Sequence, residues 1–251
     1  MKRYFIRLSY KGTNYHGWQI QPNAITVQEV LNKALCTILN CEINVVGCGR
    51  TDTGVHASDF YAHFDVDEQV TLDCDMLSFR LNRFLPSDIA IKQTFRVKEE
   101  AHTRFDAKAR TYHYFITKEK NPFRLESHWK VPYDLDVQKM NQAAKILFEF
   151  EDFTSFSKLH TDVKTNNCKI YQAEWKENGD ELMFTVKADR FLRNMVRAIV
   201  GTLVEVGRGK MNLDDFRKVI ESKNRSNAGS SVPGHGLFLA EIEYPDTIKN
   251  L

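Results

Sequence analysis

Stretches of period two and stretches of period 3.6 alternate along the whole chain, and that alternation limits the fold to one class. RYFIRLSY sets Tyr4, Ile6 and Leu8 against Arg3, Phe5 and Arg7, the pattern of a strand with one packed face. TVQEVLNKALCTIL then places Val27, Val30, Leu31, Ala34, Leu35 and Ile38 at helical spacing, and Thr26 followed by Glu29 is a capping box that starts the helix. INVVGC reads as a short buried strand. DFYAHFDV reads as a strand with Asp59 and Asp65 on its exposed side, CDMLSFRLNRFL as a helix closed by Pro86, and IAIKQTFRV as a strand. After residue 105 a similar rhythm returns: a strand in KARTYHYFITK, a helix in DVQKMNQAAKILFEF, and a hairpin turning at Asn178-Gly179-Asp180. Helices in RFLRNMVRAIVGTLVEVG and LDDFRKVIES follow, and GLFLAEIEY closes as a strand. The expected class is α+β, with helices packed on a sheet, in two related units: 1–105 and 106–251.

One stretch fits neither period. GCGRTDTGVHA, residues 47–57, joins two strands and carries Arg50, Asp52 and His56 among three glycines. Gly47, Gly49 and Gly54 permit positive φ and close approach of a ligand to the backbone. A guanidinium two residues from Asp52 would keep its carboxylate ionised. An ionised, oriented aspartate in a cleft serves as nucleophile or general base; the same residue in an Asx-turn would only tie the loop down.

Three further features point toward a site. ARTYHYF sets Arg110, Tyr112 and Tyr114 on one face of a strand, where an aromatic either lines a core or stacks on a nucleobase. Arg193 and Arg197 fall at i and i+4 of a predicted helix. Arg197 lies in an apolar run without a nearby acid, and a buried arginine needs a carboxylate partner, for which Asp52 is a candidate. Lys11, Arg208 and Lys210 lie in loops suited to phosphates.

Other classes are disfavoured. His16, His56 and His63 have no compact ligand spacing, so no metal is expected. The five cysteines form no CxxC pair and read as reduced thiols. No apolar run is long enough to cross a membrane, and the N-terminal residues enter a strand without a signal-peptide core, so a cytoplasmic protein is expected. A net charge of +2 leaves a nucleic-acid partner open, because patch placement matters more than the total.

Taken together, YKGTNYHGWQ, GRTDTGVHA, RFDAKARTYHY, DFTSF, FLRNMVRAIVGTLVEVGRGK and GLFLAEIEYP resemble the tRNA pseudouridine synthase A family, and the resemblance runs through nearly the whole chain in order. It implies two α+β lobes sharing a mostly antiparallel sheet with an active-site cleft between them. It also implies a homodimer acting on uridines of the tRNA anticodon stem-loop without a cofactor. It makes Asp52 the catalytic nucleophile, Tyr112 the ring stacked on the target base and Arg197 the partner of the catalytic carboxylate. Arg50 becomes the residue that helps displace the target nucleotide, and Leu237 an apolar residue packed under the site. A catalytically silent tRNA-binding protein of the same fold is the alternative. A carboxylate-dependent hydrolase would want a second acid at fixed distance, which the motif lacks.

Overall fold

The computed structural model describes residues 1–158 and 165–249. The strands are β1 (Lys2–Tyr10), β2 (Val46–Gly47), β3 (His56–Val66), β4 (Ile89–Val97), β5 (Ala109–Thr117), β6 (Trp129–Lys130), β7 (Ile170–Asn178), β8 (Glu181–Ala188) and β9 (Leu237–Glu243). The helices are α1 (Val27–Leu39), α2 (Cys74–Phe84), α3 (Val137–Ile146), α4 (Met195–Gly207) and α5 (Leu213–Glu221). The class is α+β. The chain forms two compact units, Met1–Lys108 with the segment from Leu239 onward, and Ala109–Phe238. Most of β9 therefore returns to the first unit.

In the first unit β1 is central, antiparallel to both β3 and β4, and β9 lies on the far side of β3. Tyr4, Ile6 and Leu8 are buried as the alternation requires, but so is Phe5. It packs on Phe95 across one strand pair, on His63 across the other, and edge-on against Tyr244. Both faces of β1 are thus covered, where the sequence pattern implies one. Charges on this second face are neutralised in place. Arg3, directly opposite Asp65, holds both of its carboxylate oxygens at 2.7 Å and keeps the Asp65 carboxyl below its usual range. Asp59 is 4% exposed rather than solvated, because Arg7 at 2.6 Å and Lys92 at 3.5 Å pair with it.

α1 begins at the cap that the sequence predicts, and α2 at Asp73, a cap not anticipated from the sequence. Thr26 Oγ1 accepts from the Glu29 amide, and Asp73 Oδ1 from the Met76 amide. α1 buries Val27, Leu31, Ala34 and Leu35, and α2 packs Leu77 and Leu81 while Asn82 bonds both backbone groups of Ile91 on β4. The strand expected in INVVGC is reduced to β2, two residues long, with Val46 exposed.

In the second unit β8 lies between β5 and β7, both antiparallel to it, and β6 adds a short parallel pair to β5. The hairpin turns at Gly179-Asp180, with Gly179 at φ +63°. α4 is buried nearly all round; only Arg197 and Glu205 are partly exposed. The close approach of α3 depends on Gly207, where a Cβ would sit 2.5 Å from Met140 Sδ. The helix starts at Met195, not Arg190. Asn194 at φ +67° breaks the path before it, so Arg193 is not a helical neighbour of Arg197.

Burial makes His63 a pH sensor of stability. It is 3% exposed, stacked on Phe5 and against His102, and burial, helped by Arg3, pushes its pKa down to about 4. The unfolded chain takes up the proton near pH 6.5, so between these values it binds more protons than the folded protein, and stability falls as pH drops. The expected loss between pH 7 and 4 is on the order of 3 kcal/mol from this residue. Urea unfolding across that range should show His63→Gln, compared at each pH with the parent, losing correspondingly less; an equal slope in both proteins would refute the assignment.

Candidate active site

The GCGRTDTGVHA loop leaves β2 and enters β3 at His56, and its shape is set from outside by the turn that follows β1. Asp88 fixes that turn: its carboxylate accepts from Tyr15 Oη at 2.6 Å and Asn14 Nδ2 at 3.0 Å, and its carbonyl accepts from the Lys11 amide. The turn then grips the loop at several points. Gly12 N–H donates to His56 Nδ1 at 2.9 Å, the Gly54 amide to Tyr15 O, and the Trp18 amide to Thr51 O. Tyr10 Oη bonds Thr51 Oγ1 at 2.9 Å, and Val55 N–H closes the loop on Asp52 O. Trp18, stacked on Phe60 at 4.1 Å, lies directly under Gly47.

The glycines have separate reasons. Of the loop's three, only Gly54 has positive φ, at +76°. Gly47 makes room for the Trp18 indole, which a Cβ would meet at 2.4 Å, and Gly49 faces open space. The tightest requirement lies in the opposing turn, where Gly17 has φ +87° and a Cβ would lie 2.2 Å from Thr51 O.

What this scaffold holds is a half-buried Asp52 between a buried Thr51 and an exposed Thr53. Arg50 extends into solvent and makes no ion pair or hydrogen bond with any described residue, so it is not the cation that the two-residue spacing suggested for Asp52. Lys11, exposed, sits on the turn beside the loop.

The second unit gathers a different set. Tyr112 is half-buried on β5 with Phe191 edge-on at 5.0 Å, while Tyr114, two residues on, is fully buried and donates to Pro233 O. Of the two tyrosines, Tyr114 is the core residue, and burial raises its phenol well above the ordinary value. Arg197 Nε donates to Val232 O at 2.7 Å, and its own carbonyl accepts from Val232 N–H. The segment before Val232 is laid on α4 at Gly201, where a Cβ would stand 1.9 Å from Ser230 O, and is tied down by Thr202, Arg225 and Asn194. Leu237 begins β9, buried, directly after Gly236, whose Cβ would strike the Tyr114 ring.

Arg208 and Lys210 are elsewhere. They follow the C-terminal end of α4, with the Arg208 position a helical rise of about 16 Å from that of Arg197. Arg208 pairs with Glu205 at 2.8 Å and lies over the Tyr133 ring at 4.3 Å; Lys210 is exposed. Of the three histidines considered for metal, His56 Nδ1 accepts from Gly12, His63 contacts Thr103, and His16 is exposed. Among the described residues no three His, Cys, Asp or Glu come together as a metal cluster.

Sequence reasoning did not single out Tyr10, Gly12, Gly17, Trp18 and Thr51 as the supports of the loop, nor residues 225–233 as a strap on α4. The glycines of KGTNYHGW and NAGSSVPGHG were the available signal.

The family profile described as tRNA pseudouridine synthase matches residues 143–245. The chain is 59% identical to tRNA pseudouridine synthase A of Bacteroides fragilis, over 99% of this chain and 98% of that protein. It is 56% identical to that of Parabacteroides distasonis, over 99% and 98%. With the Bacillus subtilis protein of the same name it shares 40% identity over 94% of this chain and 97% of that one.

Proposed function

The chain belongs to the tRNA pseudouridine synthase A family, and we propose that it isomerises uridine to pseudouridine in tRNA with Asp52 as the reacting carboxylate. The observation that carries this reading is the loop itself. A half-buried aspartate stands on a backbone fixed from both sides, with an unpaired arginine two residues away reaching outward. Such preorganisation has a use when the carboxylate must meet a carbon atom at a set angle.

The reaction breaks the N1–C1′ bond, turns the uracil and joins C5 to C1′. The proton on C5 passes to solvent and N1 gains one, so atoms and electrons balance without an oxidant, a reductant or water, and no cofactor is called for. The target nucleotide has to leave its stack, at a cost of a few kcal/mol. Arg50, free and exposed, is placed to hold the displaced strand by its phosphates. Tyr112, braced by Phe191, offers a ring face to the uracil. Arg197 is assigned to the carboxylate by family resemblance, and Leu237 to the apolar floor. The expected substrate is the anticodon arm, the expected assembly a homodimer, and the expected compartment the cytoplasm; no described helix is long and apolar enough to cross a membrane.

The test is release of tritium from a tRNA transcript labelled at C5 of uridine, with nothing added but buffer. Steady release is expected. Tyr112→Ala should slow it by about 10–100-fold, the worth of one stacked base. A wild-type protein that binds the transcript and releases no label would refute the reading.

A further inference from the structure

α2 carries a face that the fold does not use. Its inner side packs Leu77 and Leu81, whereas Met76, Phe79 and Phe84 are 51%, 58% and 47% exposed. At about 100° per residue these three, with Arg80 and Arg83, occupy one arc of about 140° on the helix. Arg83 lies over the Phe79 ring at 5.8 Å. Neither arginine forms an ion pair with any described residue; the one acid at the arc's angle is the capping Asp73, bonded to the Met76 amide, and Asp75 lies outside it. A helix needs such residues neither for its own stability nor for solubility, since exposed Phe and Met lower solubility.

We infer that this face of α2 is an RNA-binding surface, with Arg80 and Arg83 on backbone phosphates and Phe79 against an unpaired base or a ribose. The inference rests on the tRNA reading given above. Charge decides the occupant. A second copy of the chain meeting this patch across a two-fold axis would bring two arginines from each copy into one contact, and the one carboxylate at the arc's angle, the capping Asp73, is already held by the Met76 amide. A polyanion with exposed rings matches both halves of the surface at once: guanidinium to phosphate, aromatic to base. The Arg83–Phe79 stack already fixes both groups in one orientation, so little rotamer freedom is lost on binding.

The experiment measures binding of a labelled tRNA transcript by filter retention from 50 to 300 mM salt, for the full chain and for Arg80→Gln/Arg83→Gln, Phe79→Ala and Arg80→Lys/Arg83→Lys. In the glutamine pair the dissociation constant should rise about tenfold and the log–log salt slope should become shallower by between about one and two, as two phosphate contacts disappear. Phe79→Ala should weaken binding about fivefold or more with the slope unchanged. The lysine pair should keep the wild-type slope. All substituted side chains are exposed, so melting temperatures should stay the same, and tritium release at saturating tRNA should keep its rate. Unchanged affinity and slope in the glutamine pair, with wild-type binding intact, overturn the inference while leaving the isomerase reading standing. A change of oligomeric mass by light scattering in the glutamine pair overturns it in favour of a self-interface. Wild-type protein that binds no tRNA overturns both readings together.

Discussion

Asp52→Ala is expected to abolish tritium release, by at least about 10⁴-fold, while tRNA affinity stays within about threefold of wild type. The argument has two parts. Removing a group that forms or breaks a bond in the reaction removes the pathway, so the loss is of the size seen when a nucleophile is deleted from other enzymes. Binding, in contrast, draws on many phosphate contacts spread over the surface, to which one carboxylate adds nothing and from which it subtracts a little by repulsion. The bonds that hold the loop through Thr51, Gly54, Val55 and His56 remain in place after the change. Asp52→Asn, of the same shape, should be equally inactive, which separates charge from size. Retained isomerisation in either variant would remove Asp52 from the chemistry. Inactivity of the wild type itself, with binding preserved, would instead support a protein that holds tRNA without modifying it.

Gly17→Ala should be the most damaging small substitution outside the motif. The residue sits at φ +87°, where an alanine costs about 1 kcal/mol, and its methyl would stand 2.2 Å from Thr51 O, a backbone atom that cannot rotate away. Overpacking of that kind costs roughly 1–3 kcal/mol more, so a loss of about 2–4 kcal/mol is expected in urea unfolding. Part of the strain will be relieved by moving Thr51, and Asp52 with it. A shift near 1 Å at a reacting group costs about 100-fold in rate, so tritium release per folded molecule should fall by that factor while tRNA affinity is kept. Gly49→Ala is the control. It lies in the same loop as Asp52, has no atom within 4 Å of the added carbon, and should change stability by under about 0.5 kcal/mol. Wild-type turnover in Gly17→Ala would mean that the grip on Thr51 has no part in placing Asp52.

The sequence made the secondary structure legible wherever one residue type carried one physical reason. Thr26 capping α1 and the Asn178-Gly179-Asp180 turn were of this kind. It failed where the reason came from a partner distant in the chain. Asp59 looks solvated beside Phe60 and Ala62, and is buried because Arg7, on β1, neutralises it. Phe5 reads as the odd residue on a polar face until Tyr244 and His63 cover it. Helical propensity in RFLRN gives no warning of Asn194 in the left-handed region, so the start of α4 was misplaced. The candidate residues Asp52, Arg50 and Tyr112 were visible because GRTDTGVHA fits neither the strand nor the helix period and Tyr112 shares a strand face with Arg110. The supports were not: a tyrosine bonded to a threonine, or a glycine under a carbonyl, has no pattern of its own.

The path of β9 has a consequence for how the protein is made. A ribosome emits the chain in order, and the unit that carries Asp52 lacks the strand beside β3 until all of residues 109–238 have been synthesised. Through that interval the β9 side of β3 is covered only where β2 pairs with Ala62 and His63, and the rest is an open edge, the kind of surface that pairs with other nascent chains. A stop codon placed shortly before Leu239 would thus harm the unit at the opposite end of the gene, and supplying the missing strand as a separate peptide should restore it.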